Sequence, residues 1–263
     1  MLVDLLLGLV TGAILALTGA GGGILAVPLL VFGARLDMAT AGPIGLLAVG
    51  MAAALGAGLG LRAGIVRYRA ALLIALAGAA FSPLGLWLAH RIDNRMLTVL
   101  FALVLAYVAY RSFTQAGQPP STEHSLRHCV RDPATGRFIW TRPCARVLAL
   151  SGTVAGLLSG LLGVGGGFVM VPALRAYTEL EMQSVVATSL AVIALLSATG
   201  VATSALSGGF NWAVALPFCA GALAGMLVMR AVAHQLGGAA MQRGYAVVAG
   251  TVALAMLLKA ALA

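Results

Sequence analysis

The sequence predicts an all-α polytopic membrane protein of about eight apolar segments, set out as two four-segment repeats with the first segment of each repeat broken at a Gly-Gly-Gly. Composition predicts the membrane: 61% of the 263 residues are hydrophobic and 9% charged, with a mean hydropathy of +1.04. A soluble domain of this size has no use for that balance. Segment lengths predict the spans, since most of the apolar stretches match the ~20 residues a helix needs to cross hydrocarbon. A recurrence predicts the repeat: Gly19-Ala-Gly-Gly-Gly-Ile-Leu-Ala-Val-Pro28 returns 144 positions later as Gly163-Val-Gly-Gly-Gly-Phe-Val-Met-Val-Pro172.

Taken in order, the apolar stretches run over about 2–33, 40–61, 70–90 and 96–111, then over 147–175, 184–206, 212–233 and 244–262. The first stretch of each half is too long for an upright crossing, and it holds the glycine break. Sliding one half onto the other without gaps also places Gly12 on Gly156, Gly56 on Gly200, Gly64 on Gly208 and His90 on His234. Leucines could coincide by composition alone; glycines, a proline and a histidine in one register point to duplication. The divisions that follow are a first membrane repeat at 1–111, a basic linker at 112–146 and a second repeat at 147–263.

The linker carries Arg127, Arg131, Arg137, Arg142 and Arg146 with Pro119-Pro120. Its basic excess predicts a cytoplasmic position. Asp132-Pro opens a turn that Gly136 closes, so a short hairpin is expected between Cys129 and Thr141. Cys129, Cys144 and Cys219 imply no disulfide framework, and free thiols in the linker suffice. His124, His128, Cys129 and Cys144 match no zinc spacing, so neither a metal nor a cofactor is implied. Met1-Leu-Val-Asp4 puts no basic residue ahead of the first apolar run, which predicts no cleaved signal peptide. The net charge of +9 is spread over membrane loops, where it reports orientation and not nucleic-acid binding.

Two topologies fit. If the broken first segment crosses once, the repeats are parallel. If it turns back, each half crosses three times and the repeats are inverted, and more of the basic residues, Arg175, Arg230 and Arg243 among them, join the linker on the inner side. The charge rule mildly favours the second.

At these residues the chain resembles the TauE/SafE family of sulfite exporters and related permeases. The resemblance rests on the doubled Gly-x-Gly-Gly-Gly with Pro28 and Pro172, on Ala187-Thr-Ser-Leu190, and on the loop motifs Gly64-Ile-Val-Arg-Tyr68 and Gly208-Gly-Phe-Asn-Trp212. It implies a bacterial inner-membrane carrier of sulfite, sulfonate or another small anion, often outward. The first half departs from the pattern, with Ile44-Gly45 where the second has Thr188-Ser189.

A helix that begins at such a break leaves its first amides unpaired and concentrates partial positive charge there, an anion site that needs no cation in the membrane. The expected substrate-binding residues are Gly19, Gly21, Gly22 and Gly23 with Thr18 in the first half. In the second they are Gly163, Gly165, Gly166 and Gly167 with Ser159, Thr188 and Ser189. Pro28 and Pro172 would hold the breaks open by denying a backbone hydrogen bond, and His90 and His234 are candidate titrating gates. Against this stand bland readings: glycines for close helix packing, hydroxyls bonded to their own helices, histidines at the interface. Tyr68 and Trp212 read as interfacial anchors. Partners expected are a small anion and the bilayer, with a homo-oligomer left open.

Two other classes compete with this reading. A membrane scaffold would use the glycines for packing and the linker for docking. An intramembrane enzyme needs an acid, base, nucleophile or metal in the membrane, and all seven acidic residues fall at segment ends or in the linker.

Overall fold

In lipid a spanning backbone must satisfy its own polar groups, which leaves helices or a closed barrel. The computed structural model takes the helical solution; it describes residues 1–19, 21–89, 91–115, 129, 141–206, 211–232 and 238–262. Among these lie α1 (Leu2–Thr18), α2 (Gly21–Gly33), α3 (Met38–Arg62), α4 (Tyr68–Ala89) and α5 (Asn94–Gln115), then α6 (Arg142–Leu162), α7 (Gly167–Tyr177), α8 (Met182–Leu206), α9 (Trp212–Val232) and α10 (Gly238–Leu262). Five, namely α3, α4, α6, α8 and α9, are long and apolar enough to cross a membrane. Large apolar side chains such as Leu72, Leu76, Trp87, Leu103, Leu216 and Leu254 stand exposed on α4, α5, α9 and α10, as a lipid-facing surface requires.

The breaks are turns: the first falls before its expected triplet, and the second runs through Gly165 and Gly166 of its own. α1 ends on Gly19 in the left-handed conformation (φ 69°) and Gly21 to Gly23 already belong to α2. α6 ends on left-handed Gly163 (φ 68°); Gly165 and Gly166 follow at φ 74° and 67°, and α7 starts at Gly167. Three left-handed residues in four are costly for anything but glycine. They send the chain back on itself. α2 runs antiparallel to α1, its Gly22 against Leu15 and its Gly33 against Leu7. α7 likewise returns along α6, with Gly166 against the Ala155 carbonyl. Thirteen and eleven residues rise about 20 and 16 Å at ~1.5 Å each, short of the ~30 Å of hydrocarbon. Neither return helix spans.

Helix directions follow from close approaches. α3 is antiparallel to α2 (Gly45 by Val27, Gly23 by Val49), and α8 is antiparallel to α3 (Gly200 by Leu46, Gly50 by Ser197, Gly60 by Ala187). α4 and α6 run parallel, with Ile74 by Gly152, Gly78 by Gly156 and Leu86 by Gly160. α1 and α9 also run parallel, with Leu5 by Gly221 and Leu9 by Gly225. The start of α1 and the start of α6 therefore lie at opposite ends of the bundle. The two hairpins enter from opposite faces.

These parallel pairs touch backbone to backbone. A Cβ on Gly12 would sit 2.7 Å from the Ala222 carbonyl carbon, and one on Gly156 would collide with the Gly78 backbone. Small residues bring membrane helices this close because association in lipid relies on van der Waals contact. Each pair joins a helix from residues 1–111 to one from 147–263, and so does the central α3–α8 pair.

One expectation about the linker changes. Cys129 and Cys144 are disulfide-bonded, with Cα atoms 5.0 Å apart, where free thiols were expected. Fifteen residues of sequence separate them, and the fold supplies the proximity that spacing could not show: Cys129 N–H donates to the Tyr177 carbonyl (3.1 Å) and Cys129 pairs with Thr178. Both cysteines are buried among Leu148, Met170 and Leu174. The expected hairpin lies, apart from Cys129 and Thr141, outside the described residues.

Candidate functional site

The two turns meet. A Cβ on Gly23, in the first turn of α2, would lie 2.6 Å from the Val164 carbonyl oxygen, which sits in the second break. Gly163 presses on Gly42 of α3, and Gly19 presses on Val186 of α8. The breaks thus flank the α3–α8 pair, each seated on the opposite long helix, inside a core that includes Ile24, Val27, Ile44, Val164, Leu190 and Ile193.

Most of the expected hydroxyls are committed to the protein. Thr18 Oγ1 donates to the Ile14 carbonyl (2.8 Å). The Ser189 hydroxyl lies 2.9 Å from the carbonyls of both Gly19 and Val186 and shares its hydrogen between them. That bond closes the orphan carbonyl end of α1 onto α8. Thr188 is buried but faces the α3–α4 loop, where its Oγ1 accepts the Arg67 N–H (3.1 Å). Ser159 is buried one turn before Gly163, whose N–H donates to the Ser159 carbonyl (2.9 Å). Pro28 and Pro172 lie inside α2 and α7, several residues past the turns. His90 and His234 fall outside the described residues.

The glycines divide by what surrounds them. Gly22 and Gly166 are pinned against backbone, at 2.8 Å from Leu15 N and 2.7 Å from the Ala155 carbonyl, so a side chain at either would displace a helix. Gly165 meets only side chains: Ser197 Oγ at 3.0 Å, Ile193 at 3.3 Å and Leu46 at 3.9 Å from a built Cβ. α7 begins with no side-chain cap on its N-terminus. Ser197 is fully buried, and its hydroxyl has no hydrogen-bond partner. Ser197 stands outside the Ala-Thr-Ser-Leu motif, and its one signal in the sequence is a hydroxyl two turns further along the same apolar helix.

No three metal-ligating side chains cluster among the described residues. Arg62, Arg67, Arg69 and Arg175 lie at helix ends, on the face to which the linker returns. Arg230, near the end of α9, donates to the Gly56 carbonyl (3.1 Å). At the interfaces, Tyr68 and Trp212 are exposed, Arg69 stacks on Tyr68, and Arg91 lies 4.7 Å from the Trp87 ring.

The architecture is that of a membrane protein built around paired helix breaks, and the family model for the sulfite exporter TauE/SafE matches residues 5–256. The chain belongs to the TauE/SafE family. Among relatives, the probable membrane transporter protein YunE of Bacillus subtilis (strain 168) is 27% identical over 82% of each chain. A probable membrane transporter protein of Xylella fastidiosa (strain 9a5c) is 30% identical over 83% of this chain and 79% of its own. One from Methanocaldococcus jannaschii is 26% identical over 75% of this chain and 69% of its own. No solved structure matches. The TauE/SafE chain described here is thus a multi-pass membrane transporter.

Proposed function

We propose that the protein carries a small sulfur-containing oxyanion, sulfite or a sulfonate, outward across a bacterial inner membrane. The observation that carries this reading is the meeting of two re-entrant turns: Gly23 against Val164, with left-handed glycines on either side. Discontinuous helices that meet between repeats are how transporters expose backbone dipoles to an ion at membrane depth. With no cation placed at the turns, the amides at the start of α7 supply the positive end.

The two halves act as inverted repeats in this reading. Contacts recurring under the 144-residue shift support it: Gly12 meets Ala222 as Gly156 meets Gly78, and Gly19 meets Val186 as Gly163 meets Gly42. The face bearing the linker is the cytoplasmic one. Of 16 Lys and Arg, only Arg35, Arg91, Arg95 and Lys259 belong to the other face by helix direction, and basic residues favour the inside. An anion leaving a negative-inside cell gains about 2.3 kcal/mol per charge per 100 mV, so export needs no coupling ion. Because the tight pairs are exchanged between halves, the bodies that move are α1–α2–α9 and α6–α7–α4, sliding about α3–α8, and not residues 1–111 against 147–263.

The scaffold reading draws on Gly22 and Gly166, whose surroundings account for them by packing alone. Flux discriminates: in liposomes under an imposed potential the wild-type protein should release sulfite, and a scaffold should release none. Absence of flux for sulfite, sulfonate and sulfate from well-inserted wild-type protein would refute the transport of this class of anion.

A further inference from the structure

We propose that Ser197 is a substrate-contacting residue, its hydroxyl donating to an oxyanion seated on the N-terminus of α7, and that the anion site is therefore built at the second break and not at the first. This rests on the anion-transport reading above and assigns a residue within it. A buried hydroxyl without a partner forfeits the hydrogen bonds it had in water, so it is rarely kept without a purpose. Ser197 is fully buried and unpartnered. A Ser in a helix ordinarily returns its proton to a carbonyl one turn back, as Thr199 and Thr203 do in the same helix (2.7 Å to Leu196 O; 2.9 Å to Gly200 O). Ser197 does not. Its Oγ instead faces Gly165, two residues before the uncapped start of α7, at 3.0 Å from where a Cβ would stand. Gly50 of α3 leaves the room, since a Cβ there would lie 2.7 Å from the Ser197 Cβ.

The first break offers no equivalent. Shifted by 144 positions, Ser197 falls on Ala53, a buried methyl, and the nearby Ser189 hydroxyl is spent on the Gly19 and Val186 carbonyls. A hydroxyl donor beside the amides at a helix N-terminus matches an oxyanion, which accepts from both.

The test uses purified full-length protein and sodium sulfite, with Ser197→Ala, Ser197→Cys and, as a control, Ser151→Ala, whose hydroxyl donates within its own helix to Val147 O (2.8 Å). Calorimetric titration gives affinity, and unfolding without sulfite gives stability. Removing a hydrogen bond to a charged ligand should weaken sulfite binding at least tenfold in Ser197→Ala. Ser197→Cys, similar in volume but a weak donor, should lose most of that affinity, and Ser151→Ala none. Stability without ligand should hold or rise in Ser197→Ala, because an unsatisfied group has been removed. Sulfite binding unchanged in Ser197→Ala, with wild-type flux intact, overturns the role of Ser197 and leaves the transport reading standing. Should Ser197→Ala fold poorly, Ser197→Cys decides: wild-type affinity in it also overturns the proposal. Wild-type protein that neither binds nor carries sulfite overturns both.

Discussion

Alanine in place of glycine should have opposite effects at two kinds of site in this fold. At Gly12 the new Cβ would collide with the Ala222 carbonyl oxygen and stand 2.7 and 2.9 Å from the Ala222 carbonyl carbon and Cα. Ordinary contact begins near 3.4 Å, so α1 and α9 must part by roughly 1 Å or more. A gap of that size along a close-packed pair forfeits a quarter or more of each contact's dispersion energy, and overpacking typically costs about 1–3 kcal/mol. Against this, alanine gains about 0.5–1 kcal/mol over glycine in a helix interior. The net expectation is a loss of about 2 kcal/mol or more for Gly12→Ala, and a similar loss for Gly156→Ala. Gly58 in α3 has nothing within 4 Å of a built Cβ, so Gly58→Ala should keep the helix gain and stabilise by about 0.5–1 kcal/mol. Denaturant titration of purified protein in mixed micelles reads all three. Because Gly12 and Gly156 lie in separate interfaces, their losses should add in the double variant. A Gly12→Ala protein as stable as wild type, beside a Gly58→Ala protein that gains, would show that α1 and α9 do not touch as described.

The remaining predictions concern orientation and the linker. In a cysteine-free background, Asp37→Cys should react with an impermeant thiol reagent added outside intact cells and Arg62→Cys should not; the reverse pattern would invert the orientation, and equal labelling would refute the antiparallel run of α2 and α3. Cysteines in a reducing cytosol stay as thiols, so acid-quenched cells should yield Cys129 and Cys144 open to alkylation, with the bridge forming once the protein is isolated in air. A bridge already complete in growing cells would place the linker on the oxidising face and reverse the charge assignment.

The membrane class, the helices and the presence of two breaks could be read from apolar runs and from two glycine clusters in one register. The position of the first break within its cluster could not. Gly21 to Gly23 look like the breaking element, yet glycine in the middle of a helix costs only about 1 kcal/mol, and the close packing of Gly22 on Thr11 and Leu15 and of Gly23 on Val164 favours the helix. The left-handed turn at Gly19 is decided by the return of α2 along α1. The charge rule leaned to the inverted arrangement but could not fix it, since it counts residues without knowing which helices pair. The disulfide was illegible for the same reason. Among site residues, the hydroxyls of Thr188 and Ser189 were conspicuous as a motif, and the partners that engage them, Arg67 N–H and the Gly19 carbonyl, lie more than a hundred positions away.

The exchanged helix pairs carry a consequence for how the chain is made. α1 leaves the ribosome well before α9, although its Gly8 and Gly12 are shaped to fit that helix. Until then the face of α1 has only lipid or α2 to cover it, and α4 waits in the same way for α6. Insertion and folding are thus separate events for this chain, and a ribosome stalled in the linker would release a half whose glycine faces are bare. Two such halves, produced as separate polypeptides in one membrane, have every reason to find each other.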